Sequence, residues 1–166
     1  MDLDISTLQP EDVDGVASVH IEAWQAAYRG VMADDFLDLS GEAVTEYWSM
    51  VAWRRDGNAF VARREGRIAG FAAVGDHRKD DIGVGEVYVL NVAPEHWGTG
   101  VGTQLLHRAQ ERLHQLGFSD VVLYVATENA RARRFYEREG WRDDGVDEVE
   151  EFGGEPVEER RYRRRL

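Results

Sequence analysis

Apolar positions along this chain switch between a spacing of two and a spacing of three to four, and the switches divide it into strands and helices. Leu3, Ile5 and Thr7 alternate with polar residues and predict a first strand. Pro10, Glu11 and Asp12 mark a helix start, since proline suits a first turn and acids favour the positive end of the helix dipole. Val13, Val16, Ala17, His20, Ile21, Trp24 and Tyr28 share one helical face, which ends near Gly30. Residues 32–39 read as a short helical piece. Residues 41–53 read as a helix with Val44, Tyr47, Trp48 and Val51 on one side. Residues 58–64 and 67–74 are two strands joined by a short link, Arg64-Glu65-Gly66, and form a hairpin. Residues 75–85 are polar and read as a loop.

The second half repeats the same grammar. Residues 86–92 form a strand. Val101, Leu105, Ala109, Leu113 and Leu116 mark a helix closed by Gly117. Residues 120–126 (DVVLYVA) are almost continuously apolar, as in a strand buried on both faces. Asn129 caps a helix over 130–139 with Gly140 as its stop. Two last strands, near 141–152 and 157–165, join through Gly153-Gly154. The order is β-α-α-β-β-β-α-β-α-β-β. This is a mixed α/β chain without repeats or linkers, and 166 residues suit one domain spanning 1–166.

The densest chemistry lies between Glu86 and Leu116. A strand turns at Pro94, passes Gly98, Gly100 and Gly102 on every second residue, and enters the amphipathic helix. Glycines let successive backbone amides approach a ligand, and the helix leaves its first amides unpaired at the positive end of its dipole. Together they make a site for phosphate or pyrophosphate. A P-loop reading needs a lysine after the glycines, and none is there. A dinucleotide reading needs Gly or Ala where Thr103 stands, and an acid at the end of the next strand, whereas Asp120 begins it.

Composition narrows the picture. The hydrophobic content is 43%, enough for a core, and no apolar run is long enough to span a membrane. There are no cysteines, which excludes disulfides, thiolate nucleophiles and Cys-type zinc sites. The acidic first residues lack a signal-peptide apolar region, and a cytoplasmic protein is expected. The formal net charge of −12 repels nucleic-acid phosphates. Lys79 is the only lysine. An arginine-favouring GC-rich genome explains that, and so does a salt-adapted acidic surface. His20, His77, His96, His107 and His114 form no ligand pattern, so no metal is expected.

The run VYVLNVAPEHWGTGVGTQLL resembles the acetyl-CoA-binding motif of the GNAT superfamily of N-acetyltransferases, [Q/R]-x-x-G-x-[G/A] after a strand and a V-x-P type turn. Trp97 takes the usual Gln/Arg place, a departure that removes a cationic side chain but leaves the backbone amides. Downstream, ENARARRFYEREGW resembles the family's N-x-x-A-x-x-F-Y-x-x-x-G-[FW] motif. The element order resembles the family fold over nearly the full length. The resemblance implies a central, mostly antiparallel sheet of about seven strands, splayed at the cofactor site and flanked by about four helices.

The resemblance also implies roles. The strands over 86–92 and 120–126 splay apart, with a β-bulge near Leu90 and Asn91 that frees backbone groups at Leu90 and Val92 for the pantetheine arm of acetyl-CoA. The segment Trp97, Gly98, Thr99, Gly100, Val101, Gly102 and Thr103 holds the pyrophosphate. Asn129 caps its helix, bonds the pantetheine arm, or does both. Ala132 allows close approach of the cofactor, and Arg133 or Arg134 reaches the 3′-phosphate or adenine ribose. Tyr136 matches the general acid that protonates the leaving thiolate. Glu86, on the central strand facing the acceptor cleft, is the expected base, acting directly or through water. Trp24, Tyr28, Arg29 and Phe36 are expected around the acceptor, a primary amine of a small molecule or a peptide or protein N-terminus. Homodimers are common in the family. The competing reading is a non-catalytic acyl-CoA-binding sensor module.

Overall fold

A computed structural model describes every residue except Met1, Leu39, Ser40, Asp80 and Gly153, and the side chain of Phe36. The elements are β1 (Leu3–Thr7), α1 (Val13–Tyr28), α2 (Asp34–Leu37), α3 (Gly41–Arg54), β2 (Ala59–Arg64), β3 (Arg67–Asp76), β4 (Val84–Val92), α4 (Val101–Gln115), β5 (Asp120–Ala126), α5 (Ala130–Arg138), β6 (Arg142–Phe152) and β7 (Glu155–Arg165). The expected order holds. Strands β3 and β4 run past their expected ends because Gly75 pairs with Glu86 and Asp76 with Gly85. Backbone pairing needs no apolar side chain, so polarity there was read as loop.

The strands form one sheet in the order β1-β2-β3-β4-β5-β7-β6. All neighbours are antiparallel except β4 and β5. The β2–β3 link turns on Glu65 (φ 52°) and Gly66 (φ 76°). Two successive left-handed residues match the twist of a tight hairpin.

Period two along β2 explains the layering. Phe60 and Ala62 pack with Leu105, Leu106, Ala109 and Leu113 of α4 on one face. Ala59 and Val61 pack with Val16, Val19, Trp48 and Ala52 of α1 and α3 on the other. Each large side chain so buried contributes about 1.5–3 kcal/mol. Helices clamp the sheet from both sides.

The parallel pair is short. Val84, Gly85 and Glu86 pair with Asp120, Val121 and Val122, and there the pairing stops. Beyond it β5 stays with β7 as far as Ala126 opposite Glu159. The sheet is therefore split into a V. The register of β3 on β4 jumps from Ala73↔Val89 to Val74↔Val87, which makes Tyr88 the extra residue. The bulge sits at Tyr88 and not, as expected, near Leu90 and Asn91. Across it the alternation inverts: Val87 and Leu90 both face the α4 core, while Val89 faces α1 and α3. In an apolar run such as VYVLNV, that inversion leaves no mark in the pattern.

Candidate active site

The V opens into a cleft of about 1120 Å³ lined by β4, β5, α1, α5 and the glycine loop. That exceeds the range of about 300–1,000 Å³ usual for drug-sized ligands. It leaves room for a long cosubstrate and a second reactant.

At one end stands the glycine loop. Gly98 and Gly100 adopt φ of 72° and 90°, a region that penalises any Cβ. Gly100 is also the N-cap of α4 and offers no side chain to the first amides of the helix. Those donors face the cleft mouth without a capping group. Gly102 has no left-handed φ, and a Cβ there would meet the Phe135 ring at ordinary contact distance, 3.4 Å. Among the expected cofactor residues Leu90, Asn91, Val92, Trp97, Gly98, Gly100, Gly102, Thr103, Asn129 and Ala132 line the cleft. Thr99 and Val101 do not. The Thr99 hydroxyl donates to the His96 carbonyl at 2.6 Å, and the Val101 side chain is fully buried in the core. Thr103 lines the cleft while its hydroxyl donates to Glu139 at 2.8 Å. The Trp97 indole donates to the Val92 carbonyl at 2.9 Å, tying the loop to the end of β4.

The second wall is α5. Asn129 Oδ1 accepts from the Ala132 amide at 3.1 Å, the expected N-cap. Its side chain also bonds the Tyr28 phenol, which joins α1 to α5. Tyr136 is the buried residue of this helix and lines the cleft. Phe135, Trp141 and Tyr162 surround its ring at 5.1, 6.3 and 6.4 Å between centroids. Burial pushes its pKa far up, the Tyr28 phenol adds to that, and Arg131 opposes it. Tyr136 therefore holds its proton throughout the neutral range. Arg133 is occupied: it donates to the Thr127 carbonyl at 2.9 Å and to the Tyr162 hydroxyl at 3.5 Å. Arg134 lines the cleft instead.

The far end carries the acceptor expectations. Trp24 and Tyr28 line the cleft with their rings tilted at 51° and 4.6 Å between centroids, and Trp24 meets Phe152 of β6 at 5.4 Å. Arg29 does not line it; its guanidinium points to Asp34 at 3.8 Å and is 61% exposed. The expectation for the Phe36 side chain falls outside the described residues. Glu86 is 1% exposed and is not part of the cleft lining. Its carboxylate accepts from the Arg78 amide at 3.0 Å and from the guanidinium at 2.7 and 3.2 Å. The sequence reading set Glu86 facing the acceptor; the β4–β5 pair closes over that position, and Arg78 takes its lone pairs.

Among the lining residues that the sequence did not single out are Arg131, Phe152 and Glu159. Arg131 follows Asn129 in a run of arginines with nothing to single it out. Phe152 and Glu159 sit in strands where charge alternates with charge, so no apolar period flags the inward face. Among the described residues no group of three His, Cys, Asp or Glu is placed to hold a metal ion.

Residues 21–141 match the acetyltransferase (GNAT) family. The chain belongs to that family. An uncharacterized N-acetyltransferase, YuaI, of Bacillus subtilis is 31% identical over 122 residues, 72% of this chain and 69% of that protein. A mycothiol acetyltransferase of Parafrankia is 28% identical over 177 residues, and this GNAT chain covers 54% of it. Among solved structures, the PaiA N-acetyltransferase of Thermoplasma acidophilum, in complex with coenzyme A, matches the whole chain with a TM-score of 0.83 at 20% identity. YncA of Salmonella typhimurium, with acetyl-CoA, has a TM-score of 0.75 at 18% identity over 100% of this chain and 95% of its own. At those identities the likeness is one of fold.

Proposed function

We propose that this GNAT protein transfers the acetyl group of acetyl-CoA to a primary amine of a small molecule or of a peptide N-terminus. One observation carries the reading: the sheet splits beside an uncapped glycine-rich helix start, and Tyr136 lies in the same cleft. The residues fit the cosubstrate. The edge of β4 facing β5 has no strand partner beyond Glu86, so backbone groups around Leu90 and Val92 are open to the pantetheine arm. The amides of residues 98–103 suit the pyrophosphate. The cosubstrate brings an activated acyl group, and the protein supplies position. Tyr136, kept protonated by burial, donates its proton to the departing sulfur. Glu86, expected as the base, exchanges a proton with the cleft only through an intervening group, since Arg78 covers its carboxylate. A cysteine-free chain and this cosubstrate suit the cytoplasm.

Calorimetric titration with acetyl-CoA, with ATP and NAD as controls, tests the cosubstrate. Thiol release with spermidine, phenethylamine and a peptide with a free alanine N-terminus tests transfer. Selective acetyl-CoA binding with amine-dependent thiol release is expected. A folded protein that ignores acetyl-CoA overturns the reading. Selective binding without transfer to any amine leaves the acyl-CoA sensor.

A further inference from the structure

Glu159 of β7 is the one carboxylate among the described residues that both lines the cleft and is buried, with 8% of its surface exposed. It forms no ion pair among those residues, and its Oε2 is sealed from solvent without a hydrogen-bond partner. Leaving a buried carboxylate oxygen unpaired is unfavourable, because its lost hydration is not replaced. The cations that act on it from a distance are held by other carboxylates. Arg78 is bound to Glu86 and Lys79 to Glu148.

Position gives this carboxylate a purpose. Glu159 pairs with Ala126 at the open end of the V, four residues beyond the last β4–β5 pair. Glu159 from β7, Tyr28 from α1 and Tyr136 from α5 all line this cleft. Trp24, Tyr28 and Phe152 wall this end with aromatic rings, which limit water and take up the apolar body of an amine.

We infer that Glu159 receives the ammonium group of the acceptor and takes its proton, which makes it the general base of the transfer. The inference rests on the acetyl-transfer reading and completes it. The ammonium gives one proton to the Glu159 carboxylate. The neutral nitrogen then attacks the thioester carbonyl carbon; a C–N bond forms, the C–S bond breaks, and Tyr136 protonates the sulfur. The second nitrogen proton restores Tyr136, and Glu159 returns its own to water.

The surroundings support this. Burial, then Glu150 on β6, and further off Glu86 on β4, push the Glu159 carboxyl up to about 7, against Lys79 and Arg78 of the β3–β4 loop. Glu148 of β6 stands directly opposite, Tyr28 of α1 faces it, and Ala126 of β5 adds no charge. A base poised near neutrality is matched to taking a proton there.

The test compares wild type, Glu159→Gln and Glu86→Gln in three readouts. The first is acetyl-CoA calorimetry. The second is the pH profile of kcat/KM for whichever of spermidine, phenethylamine or the alanine peptide gives thiol release. The third is the carboxyl ¹³C titration of glutamate-labelled protein, which needs no acceptor. We expect Glu159→Gln to bind acetyl-CoA within about twofold of wild type. It should lose about 10²–10⁴-fold in kcat/KM at pH 7 together with the acidic limb. We also expect it to remove a carboxyl that titrates near neutrality in wild type. Glu86→Gln should keep that limb. A wild-type limb in Glu159→Gln, its loss in Glu86→Gln alone, or an ordinary carboxylate titration for Glu159 overturns the inference while the cosubstrate reading stands. Should Glu159→Gln not fold, Glu159→Asp takes its place, with a shifted titration and limb expected. Loss of acetyl-CoA binding in wild type instead overturns the reading beneath it.

Discussion

The Arg131 guanidinium lies over the Trp97 indole, 3.5 Å from its ring centre. Trp97 occupies the place where the family motif carries Gln or Arg, so a cation returns to this corner from α5 across the cleft. Burial lowers the Arg131 pKa, with the Tyr136 and Tyr28 phenols opposing it. The same indole holds the Val92 carbonyl. Strand end, loop and helix meet at one ring. Trp97→Ala is expected to weaken acetyl-CoA binding about tenfold, by cation–π energy lost and a loosened loop. Calorimetry checks this. An unchanged Kd would mean that the backbone amides act without this clasp.

Tyr136→Phe removes one hydroxyl from a ring already packed by Phe135, Trp141 and Tyr162. Its kcat is expected to fall about 10²-fold, with acetyl-CoA affinity changed less than about twofold. Steady-state kinetics beside direct binding separates the two effects. Equal losses in both would make Tyr136 a binding residue.

Glu159 makes the stability of the protein depend on pH in a defined sense. Its carboxyl moves from an ordinary value of 4.5 to about 7 on folding. A raised acid stabilises the fold below the unfolded value, and this contribution is lost as pH rises through the folded value. Glu159→Gln cannot ionise. The melting temperature of Glu159→Gln relative to wild type is therefore expected to climb between pH 4.5 and about 7, and to level off above. The difference amounts to at most about 3 kcal/mol. A constant difference across that window would show that Glu159 is not held neutral by the fold.

Gly100 serves a backbone conformation. With φ at 90° and open space around the missing Cβ, Gly100→Ala meets strain without a clash. About 1–2 kcal/mol of stability should be lost, roughly 2–8 °C in Tm, and the shifted amides should weaken acetyl-CoA binding. Gly41→Ala, with no atom near its missing Cβ and no left-handed φ, is the control and should melt no lower than wild type. Thermal melts followed by calorimetry separate strain from lost binding.

The cofactor half of the site was legible because its chemistry is local. Gly98, Gly100, Asn129 and Tyr136 lie within two short stretches whose spacing sets their geometry: a left-handed turn into α4, a cap on α5, a ring about two turns later. The acceptor half was legible only at Trp24 and Tyr28, because its other members are far apart in the chain. Trp24 meets Phe152, Tyr28 meets Asn129, and Glu159 comes to the cleft only through the pairing of β7 with β5. In the β7 sequence EPVEERRYRRR one glutamate looks like the next.

The sequence by itself determined the elements, their order, the glycine-dependent turn and the two-sided burial of β5. These follow from the period of apolar residues and from φ preferences, which act over a few residues. Tertiary structure decided which carboxylates are satisfied. Glu86 was given to Arg78 by the loop between β3 and β4, and Glu159 was left without an ion pair among the described residues, in the cleft of the split sheet. Burial and pairing of a charge depend on what distant strands bring beside it, and no local pattern encodes that.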